Sequence, residues 1–286
     1  MKNVMILTGA GQIGMAIARR MGAGMKIVIG DKNPQHAASI AETMNWAGFD
    51  ALPVGMDLSS RDSILALIDT ARSCGEISML VNAAGVSPSQ ASVETILRVD
   101  LYGTAVLLEE VGRVICRGGV GVTVSSQSGH RLPALGEETD RLLATTPAEE
   151  LLALEILQPR NIRDTLHAYQ LAKRCNVKRV MAEAVRWGRR GARINSISPG
   201  IIVTPLALDE FGAASHRAGP PEQGDRRRTA HQHPYGQHPP AADPRETRRR
   251  QLARSGQVRL DPRDSRCLIT DKSVLRQGAV AANFAV

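Results

Sequence analysis

Apolar residues along the first two hundred positions fall into two alternating rhythms. Short runs rich in β-branched residues, at Asn3–Thr8, Met25–Gly30, Ala51–Met56, Met79–Asn82, Gly119–Ser125 and Ala192–Ser196, read as strands. Between them lie stretches with helical spacing. The first carries Ile13, Ile17, Ala18 and Met21 on one stripe, and later ones run through about 36–47, 60–74, 101–116 and 167–188. Strands alternating with helices predict an α/β fold: a doubly wound parallel sheet with helices on both faces, in a single domain over residues 1–210. Segment 130–166 breaks the rhythm. Pro147 and Pro159 interrupt it on either side of a helical run at Glu149–Leu157, so it reads as a helical insertion.

The pattern changes near Phe211. Residues 212–266 hold Arg226–Arg228, Arg248–Arg250, two Pro-Pro pairs and four of the seven histidines, with no apolar period. Such a stretch cannot bury enough surface to offset its ordering entropy, so 211–286 reads as an atypical basic tail, disordered to about residue 266. Weak alternation returns at Cys267–Thr270, and a last strand is expected within 267–278.

Charge follows the same division. The net +8 splits into 22 Lys+Arg against 21 Asp+Glu over 1–210, and 14 against 7 over 211–286. The body is nearly neutral, which removes the main support for a nucleic-acid partner. Aromatic residues make up 3%, too few for a base-stacking surface. No apolar run approaches the ~18 residues of a membrane span, and the apolar N-terminal run is too short for a secretory signal. Cys74, Cys116, Cys175 and Cys267 lie far apart with no C-x-x-C pair. That spacing suits free thiols in a reducing cytoplasm and gives no metal site.

The first chemical motif is Thr8-Gly9-Ala10-Gly11-Gln12-Ile13-Gly14, between the first strand and the first helix. Gly9 permits a tight turn, Gly11 lets the backbone approach a pyrophosphate, and Gly14 lets helix and strand pack closely. The unpaired N–H groups of the helix N-terminus would meet the anion. This is the phosphate turn of a Rossmann-type fold. Asp31 ends the second strand, 17 residues after Gly14. A carboxylate there can accept both ribose hydroxyls and would repel a 2′-phosphate, which favours NAD over NADP, with Lys32 as a moderating neighbour.

The second motif is Tyr169 and Lys173, at i and i+4 on a helix, whose side chains project the same way. An ammonium beside a phenol stabilises the phenolate and makes the group usable as an acid or base. A Tyr and a Lys so spaced are common and usually only solvated, so the pair alone decides little.

With these motifs the chain resembles the short-chain dehydrogenase/reductase family over residues 1 to about 210. The resemblance rests on an ordered set: the glycine turn at 8–14, Asp57-Leu58, Asn82-Ala83-Ala84-Gly85, Ser125-Ser126, Tyr169-x-x-x-Lys173, and Asn195 through Pro199-Gly200 to Thr204. It implies hydride transfer between a nicotinamide and a carbonyl or secondary alcohol of the hydroxysteroid or small-ketone class. Tyr169 would be the acid/base and Ser126, in Ser-Ser-x-x-Gly, would bind the substrate oxygen. Lys173 would hold the nicotinamide ribose. Asp57 and Leu58 would meet the adenine, and Asn82, Ala83, Ala84 and Gly85 would line the cofactor path. Pro199, Gly200, Ile202 and Thr204 would face the nicotinamide end. The cofactor carries the hydride chemistry, and the protein supplies orientation and electrostatics.

Three departures stand out. The family's glycine turn is one residue longer. Its fourth catalytic residue, an asparagine, is Asp100 in Val99-Asp100-Leu101-Tyr102-Gly103. Ser126 and Tyr169 are 43 positions apart, where the family usually has about a dozen; the insertion at 130–166 makes the difference. Such an insert is similar to that of the 3α-hydroxysteroid dehydrogenase/carbonyl reductase branch. There it alters the subunit interface, and the likeness implies a homodimer.

No G-x-S-x-G surrounds Ser126, so a serine hydrolase is excluded, and His130 reads as a loop residue. The Arg, Pro and His content of 212–266 is what an out-of-frame GC-rich coding stretch would give. Two readings follow: an active NAD-linked oxidoreductase acting on a small molecule, or a dinucleotide-binding relative whose catalysis is impaired by an abnormal C-terminal region. A basic binder of nucleic acid or of a membrane surface comes last, because charge runs are usually solvated.

Overall fold

A computed structural model describes residues 2–202, together with residues 258–259 and 268–269. The chain divides into two compact units, Met1–Gly219 and Pro220–Val286. In the second unit, β7 (Val258–Arg259) and β8 (Leu268–Ile269) pair antiparallel. The other residues of the tail, including most of the expected strand at 267–278, lie outside the described residues.

The first unit is a six-stranded, wholly parallel sheet in the order β3-β2-β1-β4-β5-β6. Its strands are β1 (Asn3–Thr8), β2 (Lys26–Asp31), β3 (Asp50–Gly55), β4 (Glu76–Asn82), β5 (Val120–Val124) and β6 (Arg193–Ile197). The central strands are buried on both faces and therefore read as continuous apolar runs. In β1, Met5 and Leu7 join the cluster with Met15, Ala18 and Met44, while Val4 and Ile6 join the larger cluster on the opposite face. The two-residue period of the strand makes that division. The crossovers run through α1 (Gln12–Met21), α2 (Pro34–Trp46), α3 (Arg61–Cys74), α4 (Val93–Ile96) with α5 (Thr104–Val114), and α8 (Thr165–Arg189). Chain order reverses between β1 and β4, the switch point where α/β sheets bind ligands at their carboxyl ends.

Two elements differ from expectation. A helix expected from about residue 101 begins at Val93, and its middle, Leu97–Gly103, is a π-helix. A widened turn of this kind is frequent at functional sites, and here it contains Asp100. In the insertion, the main helix is α6 (Glu137–Thr145), whereas the run expected at Glu149–Leu157 is broken. It divides into α7 (Ala148–Leu151) and a 3-10 turn at Glu155–Leu157. The side-chain amide of Gln158 donates to Leu152 O at 3.1 Å and Leu154 O at 3.2 Å, satisfying carbonyls the break releases.

The insertion is fastened to the body by polar contacts as well as by buried Leu143, Leu151 and Leu157. Asp140 meets Lys178 at 2.8 Å and Arg174 at 3.3 Å. Arg179 is almost fully buried and binds both Thr146 O and Glu109. Ala148 N donates to Glu109 Oε1 at 3.2 Å, and Glu149 accepts from Arg61 Nε at 2.6 Å and from Tyr102 OH at 2.9 Å. Among the described residues, no helix is long and apolar enough to cross a membrane.

Candidate active site

A cavity of about 480 Å³ opens at the carboxyl ends of β1 to β4. Gly9, Gly11, Gln12, Ile13, Gly14, Asp31, Asp57, Leu58, Ala83, Ala84 and Gly85, the residues expected along a cofactor path, all line it. Gly9 has φ +80°, and a Cβ there would lie 2.6 Å from the Ala84 backbone, so only glycine lets the first turn meet the loop after β4. At Gly11 a Cβ would meet nothing within 4 Å. Gly11 is also the N-cap of α1 and offers no side-chain cap, leaving the first N–H groups of that helix available to an anion. Space and donors together are what a pyrophosphate requires, so the one-residue-shorter turn still suits the group.

The end of the cavity beside Asp31 and Asp57 carries charge. Asp31 accepts from Ala10 N at 3.0 Å and Asn33 N at 2.9 Å. Asp57 pairs with Lys32 at 3.1 Å and accepts from the Ser59 hydroxyl at 2.6 Å. Burial works to raise the Asp57 carboxyl, but the Ser59 hydroxyl and N–H and the Lys32 ammonium together hold it below the usual range. Sequence reasoning missed Met56, Val86, Thr95, Val99 and His36 in this wall. Met56 and Val86 adjoin motif residues. His36 had a local signal, standing five residues after Asp31 in the first turn of the next helix.

Asn82 does not line the cavity. It is buried, accepts from Thr8 Oγ1 at 2.7 Å and donates to Thr104 Oγ1 at 3.3 Å, tying β1, β4 and α5 together.

At Gly85 the cavity reaches the second group of residues: a Cβ there would lie 3.2 Å from both Asp100 Oδ1 and Lys173 Nζ. Asp100 is fully buried, accepts from Val86 N at 2.8 Å and lies 3.2 Å from the Lys173 ammonium. Lys173 Nζ is 5.3 Å from the centroid of the Tyr169 ring. Burial pushes the Asp100 carboxyl up against the pull of Lys173 and Val86 N–H. Burial alone would lower Lys173, but the charges of Asp100 and Tyr169 outweigh it, and the ammonium is held above its ordinary range.

Ser126 caps a short 3-10 turn, accepting from Ser128 N at 3.1 Å, and is half-buried. That turn is pressed onto α8: a Cβ on Gly129 would sit 2.6 Å from Arg174 N and 2.7 Å from Lys173 C. The adjacent Ser125 hydroxyl donates to Lys173 O at 2.8 Å. One serine therefore fixes the turn to the helix while the next stays accessible. Pro199 O accepts from Gln127 N at 2.9 Å, which places Pro199 and Gly200 beside the same turn. Ile202 is 41% exposed, and Thr204 lies outside the described residues. His130 is exposed and bonds Ser198 at 2.9 Å. Lys173 adjoins the cavity behind Gly85, the Tyr169 ring lies beside its ammonium, and the Ser126 turn packs on the same stretch of α8; none of the three side chains lines the cavity wall itself.

Comparison with known proteins agrees. A family model described as short chain dehydrogenase matches residues 2–136. The short-chain dehydrogenase/reductase bsc3 of Alternaria brassicicola is 37% identical over 214 residues, covering 74% of this chain and 78% of that protein. Among solved structures, an NAD+-bound xylitol dehydrogenase superposes with a TM-score of 0.58 at 19% identity, over 77% of this chain and 78% of the other. An actinorhodin polyketide ketoreductase variant with NADPH gives 0.56 at 21%, over 75% and 76%. These two share the fold.

Proposed function

The chain belongs to the short-chain dehydrogenase/reductase family, NAD(P)-dependent oxidoreductases acting on CH–OH groups, and from that premise we propose that Tyr169 is its acid/base and a secondary alcohol or ketone its substrate. The carrying observation is the Lys173 ammonium, 5.3 Å from the Tyr169 ring centroid and anchored by Asp100 at the end of the cavity. A nicotinamide cofactor, once bound, would supply or accept the hydride. In the reductive direction Tyr169 gives its phenolic proton to the substrate oxygen as the carbonyl carbon takes up the hydride, and the carbonyl becomes an alcohol. Ser126 hydrogen-bonds that oxygen. Lys173 offsets the phenolate that remains, and Asp100 keeps Lys173 in place. Asp100 replaces the family's asparagine with a charge, so the rate is perturbed and the reaction retained.

Gly11, Gln12, Ile13 and Gly14 would hold the pyrophosphate, Asp31 the adenosine ribose, and Asp57 and Leu58 the adenine. The Asp31 carboxylate accepts hydroxyls and repels a 2′-phosphate, which favours NAD(H) over NADP(H). The substrate class is a hydroxysteroid or small ketone, the protein works in the cytoplasm, and it forms a homodimer. Exposed Met181 and Val185, one turn apart on α8, offer an apolar strip for that association.

The test is a fluorescence titration with NADH followed by NADH oxidation over a panel of ketones and 3-oxosteroids. Binding with turnover of at least one carbonyl is expected. Binding with no turnover would favour the second reading, a cofactor-binding protein whose C-terminal sequence leaves the substrate pocket incomplete. No NADH binding would overturn both.

A further inference from the structure

Three hydrogen bonds join the Ser126 turn to the chain that leaves β6. Ser125 N donates to Ile197 O at 2.8 Å and Gln127 N to Pro199 O at 2.9 Å. The third is between side chains: His130 Nε2 lies 2.9 Å from Ser198 Oγ. We propose that His130 is a positioning residue, which through Ser198 fixes the nicotinamide end of the site against the groups that hold the substrate oxygen. This rests on the reading of Ser126 and Tyr169 as those groups, and of Pro199, Gly200 and Ile202 as the nicotinamide end.

Anchorage differs on the two sides of this contact. The turn is held on α8 without His130: Ser125 Oγ donates to Lys173 O at 2.8 Å, and a Cβ on Gly129 would lie 2.6 Å from Arg174 N. Ser126 and Tyr169 therefore keep their relation whatever stands at position 130. The exit chain has no such hold, because Gly200, Ile201 and Ile202 are all exposed and packing contributes little there.

Backbone pairing carries the exit chain only part of the way. The two-residue rhythm of Ser125 and Gln127 stops where the chain bends into the 3-10 turn Gln127–His130. Beyond that point Gly129 N and Arg131 N donate within the turn, to Ser126 O and Ser128 O, each at 3.1 Å. On the facing side Pro199 has no N–H to give. Side chains take over there, and His130 reaches back to Ser198, between the two residues whose carbonyls already accept. Either partner can donate, since an imidazole nitrogen donates or accepts by tautomer and a hydroxyl does both. The bond is exposed and adds little to global stability; what it fixes is a distance. Without it, Pro199, Gly200 and Ile202 loosen relative to Ser126, while the substrate oxygen and the pyrophosphate keep their partners. A shift of about 1 Å between reacting groups is enough to slow a transfer.

The experiment compares His130→Ala, Ser198→Ala, the double variant and His130→Gln with the wild-type full chain. It measures NADH oxidation with the ketone or 3-oxosteroid the wild type reduces fastest, NADH affinity, melting curves, and hydrogen exchange of the unloaded chain. In both alanine variants kcat is expected to fall about three- to tenfold, the scale of one hydrogen bond, with KM for the carbonyl and Kd for NADH within about twofold. The Gln127 amide, bonded to Pro199 O, should exchange about three- to tenfold faster, with the melting temperature within about 2 °C of the wild type's. The double variant should lose no more than either single one, because both remove the same bond. His130→Gln, whose amide can reach the same hydroxyl, should recover most of the loss. Wild-type kcat or unchanged Gln127 exchange in His130→Ala overturns the role of His130 and leaves the Tyr169 reading standing. So do losses that multiply in the double variant, a loss that His130→Gln shares in full, or a loss carried by KM, Kd or melting temperature in place of kcat. A wild type that reduces no carbonyl overturns the inference together with the reading it rests on.

Discussion

Lys173 and Asp100 form an ion pair of 3.2 Å in which the lysine is 6% exposed and the aspartate not at all. Two charges so far from water are costly unless each satisfies the other. The pair also decides where the Lys173 charge is spent. An asparagine at position 100 would leave the ammonium's charge whole, whereas the aspartate draws part of its field away from Tyr169.

Asp100→Asn is therefore expected to move the pH profile of alcohol oxidation toward acid by about one unit, the effect of removing one adjacent charge. The variant should fold with some loss of melting temperature, since its one amide oxygen can keep Val86 N while the ammonium loses the oxygen it faced. Asp100→Leu should instead lose about 3 kcal/mol or more of stability, because the ammonium is left buried and unpaired. The profile of kcat/KM against pH, beside a melting curve for each variant, checks both.

Arg179 links the insertion to the body through Thr146 O and Glu109. Arg179→Met fills similar volume but leaves the buried Glu109 carboxylate with the Ala148 N–H at 3.2 Å and, for a cation, only the distant Arg61 at 4.0 Å. A loss of about 3 kcal/mol is expected. Limited proteolysis should cut first within 131–163, where the contacts have been released. Unchanged cleavage kinetics would show that the apolar contacts alone hold the insertion.

Glu183 gives a prediction about pH. Burial pushes its carboxyl up against the opposing charges of Arg186, Arg179 and Arg113. The folded state then binds this proton more tightly than the unfolded chain. Its stability contribution is complete below the ordinary carboxylate value and is lost as pH rises through the raised one. Glu183→Gln carries no charge to bury, so its melting temperature should exceed the wild type's by about 2–4 °C at pH 7.5 and equal it near pH 4. The exposed Arg186 end of the pair gives up little in exchange. Melting curves at the two pH values decide it.

Much of the sheet could be read from the chain because strands buried on both faces are written as unbroken apolar runs. β1 runs over Asn3–Thr8 as expected, and β2, β3, β5 and β6 lie within one residue of expectation at either end. β4 begins three residues early, at Glu76, because register shifts opposite Val4/Met5 and the polar Ser78 hides the strand's start. The π-turn at Leu97–Gly103 left no local signal: its widened geometry depends on what packs around Asp100. The glycine turn was legible because Gly9 must meet the Ala84 backbone at fixed spacing, and Asp31 because it closes an apolar strand at the cavity. The Asp100–Lys173 pair was not, since its partners stand 73 positions apart and meet only through the crossover of α8 onto the π-turn.

The most direct test is Tyr169→Phe, with carbonyl-dependent NADH oxidation and NADH affinity measured on one preparation. Removal of the single hydroxyl is expected to lower kcat about 10²–10⁴-fold while Kd for NADH stays within about twofold, since the group serves the proton and not the dinucleotide. Turnover at the wild-type rate in the phenylalanine variant would contradict the account.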